Sequence, residues 1–322
     1  EGGIINIITK KSANASELQF TAGSNDRRQY NFNYGLQNVK LSLNMYANKA
    51  EQDAYLRNSD YDNEQAGFNL SYELNNTDTL RVNYDHQQLK RGLVIQNVPG
   101  SADFDSRYPA TPIGDSFANY QGKLPGDGSY TKIFRNNFNV SWNSNRTNGS
   151  DNITYWKNYE KQREHNVINN QVFFDRYNVT DKSSGIMYNG SAKLNDKHYL
   201  GYGVDYKRLR YGYGWYNVKI GGSDLYPSQK MNLLGAYVED SWKMDDRWTT
   251  NIGLRYDKME GDKDANVAGN NTGSMSEEAL SPKLNVHFKN DERTSTSVSI
   301  NRIWRAPSMA EFYWHYAGNR FS

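Results

Sequence analysis

The sequence predicts an all-β protein, an antiparallel transmembrane β-barrel, and three observations carry that expectation. Apolar and aromatic residues recur at period two in one segment after another. The connections between those segments alternate between short and long. Mean hydropathy is low, −0.92, yet aromatics make up 14% of the chain, with 25 Tyr, 12 Phe and 7 Trp. Disordered chains are poor in aromatics, so low hydropathy combined with rings at period two describes a sheet with one greasy and one polar face. No run approaches the roughly 18–20 apolar residues that a membrane helix needs.

Composition narrows the function classes. With 38 basic and 36 acidic residues the net charge is +2, which gives no electrostatic case for a nucleic-acid partner. Cysteine is absent, which removes disulfides, thiolate catalysis and Cys-ligated metals. The chain opens in mid-pattern at Glu1-Gly2-Gly3 without a Met, and it is expected to be a piece of a longer exported precursor.

Residues 2–11 read Gly-Gly-Ile-Ile-Asn-Ile-Ile-Thr-Lys-Lys, a short β-rich run, and a small polar link follows at 12–16. Leu18, Phe20 and Ala22 then alternate with polar residues, and after Ser24-Asn25-Asp26 a partner strand carries Tyr30, Phe32, Tyr34 and Leu36. Gln37-Asn38 turns into Val39, Leu41, Leu43 and Met45, and a polar loop spans about 50–63. Phe68, Leu70, Tyr72 and Leu74 descend to Asn75-Asn76-Thr77-Asp78, whose composition suits a tight turn. Leu80, Val82 and Tyr84 rise from it into a long connection at about 91–130, of the length normally kept for function.

The cycle resumes with Phe134, Phe138, Val140 and Trp142, a turn at 143–149, and Ile153, Tyr155 and Tyr159. A connection at about 162–184 precedes Ile186, Tyr188, Ala192 and Leu194, the turn 195–197, and Leu200, Tyr202, Val204 and Tyr206. A Gly- and Tyr-rich loop occupies 212–229. Ala236, Val238 and Trp242 reach the turn 243–247, from which Trp248, Ile252, Leu254 and Tyr256 return. After a loop at 259–278, Leu284, Val286 and Phe288 lead through 290–293 to Val298, Ile300 and Trp304 in one phase, with Pro307 expected to stop the ladder. This makes about thirteen strands of about ten residues, the length that crosses a bilayer when tilted. Outer-membrane barrels keep short turns at one end and long loops at the other. Tyr84, Trp142, Trp242, Trp248 and Tyr256 are expected near strand ends, as an interfacial girdle.

Four motifs in order resemble one family. The run Gly2-Gly3-Ile4-Ile5-Asn6-Ile7-Ile8-Thr9-Lys10-Lys11 resembles the closing strand of the plug in TonB-dependent outer-membrane receptors. Arg305-Ala306-Pro307-Ser308, with Glu311 after it, resembles the box those receptors carry in mid-barrel. The hairpin Ala236–Asp257, with Val238-Glu239-Asp240-Ser241-Trp242 and Gly253-Leu254-Arg255-Tyr256-Asp257, is similar to theirs, as is Ser281-Pro282-Lys283-Leu284. The resemblance spans the whole chain.

It implies a plug-filled barrel of about 22 strands in the outer membrane. Residues 1–12 would end the plug and 13–322 would form the N-terminal, incomplete part of the barrel, in contact with outer-membrane lipid. Such a receptor is no enzyme and holds no permanent cofactor. It takes up a scarce small-molecule metal chelate or cofactor, an Fe(III)-siderophore, haem or cobalamin, driven by the TonB-ExbB-ExbD complex through the missing N-terminal region. A passive porin is the alternative, and an outer-membrane enzyme or adhesin barrel a third reading.

In that family a second box, of Asn-Pro type, follows the mid-barrel box within one loop and is not reached in this sequence; in the haem-transporting branch a His between the two boxes is an axial ligand to haem iron. His315, in Phe312-Tyr313-Trp314-His315-Tyr316, falls in that interval, and Tyr313 and Trp314 could stack on a porphyrin. The alternative, which the ordinary use of such residues favours, is that His315 is one more polar residue in an aromatic girdle or extracellular loop. Tyr213 and Trp215, in Tyr211-Gly212-Tyr213-Gly214-Trp215-Tyr216, are candidates for a ligand-binding loop or for interface anchors. Arg81, Arg135 and Arg255 fall in the polar phase and are expected to line the lumen. His86, His165, His198 and His287 show no metal-ligand spacing and are expected to be structural. Asp257, Glu260, Asp262 and Asp264 lack the ligand order and terminal Glu of a calcium loop, so no protein metal site is expected. No phosphate loop, nucleophile set or paired catalytic carboxylates stands out.

Overall fold

The computed structural model describes residues 14–102, 104–111, 126–168, 171–177, 179–212, 214–217, 222–225, 229–262 and 273–309. These form the strands β1 (Ser16–Ala22), β2 (Arg28–Gln37), β3 (Leu41–Gln52), β4 (Tyr61–Glu73), β5 (Asp78–Gly92), β6 (Tyr130–Arg146), β7 (Gly149–Ile168) and β8 (Gln171–Tyr177). They continue as β9 (Val179–Lys193), β10 (His198–Gly212), β11 (Gly214–Asn217), β12 (Gly222–Leu225), β13 (Gln229–Lys243), β14 (Trp248–Asp262), β15 (Ser274–Lys289) and β16 (Ser295–Asn301). Thirteen of them lie side by side in chain order, with β8, β11 and β12 as a side branch. The sheet is antiparallel throughout, and its described part does not close on itself.

Register explains why this sequence makes this sheet. Facing residues in an antiparallel pair point the same way, so rows can be followed from strand to strand. One row runs Leu36, Leu43, Leu70, Val82, Val140, Tyr155, Ile186, Tyr206 and Leu234 across nine strands, apolar at every position. The next is Leu41, Tyr72, Leu80, Trp142, Ile153, Tyr188, Val204, Ala236, Tyr256 and Leu280. Many of these chains are exposed, Ile186 at 51% and Val204 at 47%, an apolar belt with no protein over it. The opposite phase carries Gly35, Asn44, Asn69, Asn83 and Asn139 in one row. A slip of one residue would exchange the two faces.

The predicted alternation of connections is observed. At one end the turns occupy 38–40, 74–77, 147–148, 194–197, 244–247 and 290–294; at the other lie 23–27, 53–60, 93–129, 169–178, 213–228 and 263–273. Five of the six short turns use one device. Asn38, Asn75, Asn195, Asp245 and Asp291 each accept, on one side-chain oxygen, the backbone N–H groups two and three residues on, at 2.7–3.0 Å. The side chain supplies the turn's acceptor itself, which is why Asn and Asp stand there.

Several boundaries correct the sequence reading. The connection expected at 162–184 is mostly strand, since β7 runs to Ile168 and β9 starts at Val179; 212–229 holds the β11–β12 hairpin, and 259–278 is shortened to 263–273. Strands expected at about ten residues reach 15 in β5 and 20 in β7. Beyond the belt both faces are polar, so periodicity vanishes while cross-strand pairs such as Lys49 with Glu64 (3.2 Å) keep the ladder formed. Tyr84 and Tyr256 consequently sit in mid-strand, whereas Trp142, Trp242 and Trp248 do lie near the short-turn ends. Val39 and Leu74 belong to turns, not strands.

Candidate functional site

The polar face is built as a lattice of short, mostly paired side chains. On β3 to β5, Tyr46, Gly67 and Asp85 share a row. A Cβ at Gly67 would overlap the Tyr46 ring, so the glycine lets the tyrosine lie across β4 and donate to Asp85 at 2.8 Å. Gln65 donates to the same carboxylate at 2.9 Å. On β10 to β14 the row is Asp205, Gly235 and Asp257. The Arg255 guanidinium lies over Gly235, 3.0 Å from Asp205 and 2.7 Å from Asp257. Lys283 meets Glu239 at 2.8 Å, and Arg135 meets Glu160.

Chain exit from β16 completes this wall. Arg302 N–H still bonds Pro282 O at 3.0 Å, after which 302–308 leaves the ladder. The ladder therefore ends five residues before Pro307, earlier than the sequence suggested. Trp304 does not continue the phase of Val298 and Ile300, which stay exposed at 57% and 68%. It turns instead to the polar face, where with Ala306 it packs against Met231, Met259 and Met309, beside Leu209, Leu233 and Met275. Met231 is fully buried. The cause is local: β10, β13, β14 and β15 place Leu209, Met231, Leu233, Met259 and Met275 on the otherwise polar face, and burial of that patch draws the strand exit over it. Between this segment and the ion pairs lies a cleft of about 380 Å³ lined by Tyr237, Glu239, Arg255, Asp257, Lys283 and Trp304.

The loops at the long end are structured as well. Asn97 is fully buried; its amide donates to the carbonyls of Asp105, Tyr108 and Pro109 and accepts from Asp105 N–H. Arg57 pairs with Asp127 through two bonds, and Asn58 donates to Leu93 O and Ser129 O, which stitches 53–60 to 93–129. In the same loop the Arg107 guanidinium and backbone N–H bond the Asp105 carboxyl and hold its pKa down to about 2.

Of the sequence-predicted residues, Arg305, Ala306, Pro307 and Ser308 lie on the segment that crosses the polar face, Arg305 and Ser308 exposed and Ala306 packed on the methionine cluster. Trp215 is in β11, paired with Asp224 of β12 in the hairpin. Tyr213, Tyr313, Trp314, His315, Gly2, Gly3 and Asn6 lie outside the described residues, as does the proposed plug end at 1–12. Arg81, Arg135 and Arg255 are on the polar face as expected. The four other histidines have structural partners: Asn136 for His86, Tyr130 and Asp175 for His165, Asp240 and Trp242 for His198, Ser297 for His287. Asp257 serves Arg255. Sequence reading followed the apolar phase and so missed Asp205, Gly235, Tyr237 and Met231; the complementary phase of the same strands carried them.

A sheet with an exposed apolar belt on one face, a polar lattice on the other and its loops divided into a short and a long end is the wall of a membrane β-barrel. The family described as TonB dependent receptor-like, beta-barrel, matches residues 12–321, and the chain belongs to it. No curated protein matches the sequence. Among solved structures it is similar to the closed form of the ferric-catecholate import receptor Fiu from E. coli K12, at a TM-score of 0.68 and 13% identity over 99% of this chain and 55% of that one. It is also similar to the copper transporter OprC (TM-score 0.65, 13% identity, 94% and 48%). The apo form of the iron transporter FrpB from Neisseria meningitidis gives 0.63 and 14% over 93% and 46%. At these identities the likeness is one of fold. The chain spans about half the length of these structures.

Proposed function

We propose that this chain is the N-terminal part of the barrel of an outer-membrane import receptor that takes up a small-molecule metal chelate at the expense of TonB-transmitted energy. The long loops then face the exterior, the apolar belt meets lipid, and the polar lattice lines the lumen. The observation that carries the reading is the mutual pairing of the charges on the polar face. An open pore benefits from unpaired charges that attract solutes, whereas Arg255 with Asp205 and Asp257, and Lys283 with Glu239, already neutralise one another. That wall suits contact with a folded plug, of which residues 1–12 would be the end. The solved relatives include an iron transporter and a ferric-catecholate receptor, which puts a ferric chelate first among the cargoes, ahead of haem and cobalamin.

Uptake of the labelled ferric chelate by cells carrying the intact receptor tests this. Accumulation is expected only where TonB-ExbB-ExbD is present; equal uptake without TonB would establish the passive porin instead. A haem cargo would place His315 at the iron, with Tyr313 and Trp314 beside the ring and Tyr213 and Trp215 on the facing loop. Haem titration with and without His315→Ala decides that case, since a Soret change indifferent to His315 sinks it.

A further inference from the structure

The polar face is not uniform around the wall. On β2, β3 and β4 it takes eighteen positions; ten are Asn or Gln, and Glu73, at the short-turn end, is the only charged residue. The amides bond one another in a head-to-tail ladder across five strands. Asn31 donates to Gln19 of β1 at 3.0 Å, Asn48 donates to Asn31, Asn63 to Asn48 at 3.4 Å, and Gln87 of β5 to Asn63 at 2.9 Å. At about 4.8 Å per strand the ladder spans about 19 Å. Nearer the short turns, Asn44 and Asn69 stand opposite one another.

Further along the sheet the same face is charged and covered. β10, β13, β14 and β15 carry Asp205, Lys207, Glu239, Arg255, Asp257 and Lys283 there, and Trp304 and Ala306 lie on the methionine patch. The two halves differ in what it costs to separate a body from them. Hydrogen bonds to ionised groups are about twice as strong as those between neutral ones, so a plug seated on both leaves the amide half first. The ladder then stays bonded to itself, which keeps the cost of unmade hydrogen bonds low. Asn31, Asn48, Asn63 and Gln87 each have two N–H groups and donate one along the ladder, so a polar solute entering the gap meets a donor at every strand. Weak contacts repeated at several sites let a solute enter and still leave.

We infer that the amide half of the wall, β2 to β4, is the side of the lumen along which the metal chelate passes when the plug moves, with Asn44, Asn48, Asn63 and Asn69 in contact with it. A chelate whose exterior offers oxygen acceptors suits such a row of N–H donors. The assignment rests on the import reading and adds to it only which wall opens.

Two pairs of asparagines matched in depth give the test in the intact receptor. Asn44 and Asn69 lie three and four residues from the short-turn ends of β3 and β4, and Asn251 and Asn285 lie equally far from those of β14 and β15. Asn44→Asp with Asn69→Asp puts two carboxylates on the amide half at almost unchanged shape. The probe is a radiolabelled ferric tris-catecholate, an anion, and a carboxylate at contact distance in water opposes an anion by about fivefold. The maximal TonB-dependent uptake rate should therefore fall on the order of tenfold or more, with the half-saturating concentration unchanged. Asn251→Asp with Asn285→Asp should leave the rate within about twofold. No slowing, equal slowing by the two pairs, or a larger effect on β14 and β15 overturns the assignment. Heat-modifiable gel mobility reports folding; if either pair fails to fold, cysteine labelling decides, since the sequence has no cysteine of its own. A membrane-impermeant maleimide added during turnover should label Asn44→Cys on the order of tenfold faster with TonB than without it, and Asn251→Cys at one rate in both; the reverse pattern, or no TonB dependence at either, overturns the assignment. Wild-type uptake that is indifferent to TonB refutes the import reading itself.

Discussion

Gly235 tests whether the polar lattice is a set of designed fits. A Cβ added there would overlap the Arg255 guanidinium and lie 2.8 Å from Asp205 Oδ1. In Gly235→Ala the guanidinium must therefore leave its place between Asp205 and Asp257, whose side chains are only 12% and 11% exposed. Charge-assisted hydrogen bonds are worth about 1.5–3 kcal/mol, and the 36% exposure of Arg255 reduces that to about 1–2 kcal/mol. Replacing a strand glycine returns about 0.5–1 kcal/mol, which leaves a net loss of about 1 kcal/mol. The sign should change once the obstruction is gone: in an Arg255→Ala background, Gly235→Ala should be neutral or stabilising by about 0.5 kcal/mol. Urea-driven unfolding of the intact receptor from phospholipid vesicles, followed by tryptophan fluorescence, measures all four corners of the cycle. A coupling of about 1–2 kcal/mol is expected; additivity within about 0.5 kcal/mol would refute the fit.

Three further outcomes follow from the same geometry. Leu254→Lys, at the centre of the belt on β14, should cost about 2–4 kcal/mol in lipid vesicles, while Asn69→Lys on the opposite, polar face should stay within about 0.5 kcal/mol. Asn97→Ala should open the 93–111 segment at a local cost of about 2–3 kcal/mol, seen as faster hydrogen exchange there with the global unfolding midpoint unchanged. Because Asp105 titrates at about 2 in the folded loop against 3.8 ordinarily, its contribution is complete above about pH 4 and lost as pH falls towards 2; proteolytic nicking of the loop should rise across that window in wild type and be independent of pH in Asp105→Asn.

How much of this was legible in advance depends on which force shapes each part. Within the belt, lipid-scale burial acts on one face only, so Leu36, Leu70, Val140 and Ile186 announce themselves at period two and the thirteen-strand order follows from them. Short turns were legible for an equally local reason: Asn75, Asn195 and Asp291 carry the acceptor that closes the turn. Above the belt neither face is apolar, and β7 continues to Ile168 on cross-strand pairing that no single strand records. Trp304 shows the same limit. Its period-two position assigned it to the face of Ile300, yet Met231 and Met259, each unremarked within its own strand, form a patch only when β13 and β14 are laid side by side. What separates the legible from the hidden is thus the number of strands a feature needs. One strand suffices for the belt, two for the long hairpins, three for the Arg255 lattice and four for the methionine patch, and the last two are the features that bear on function.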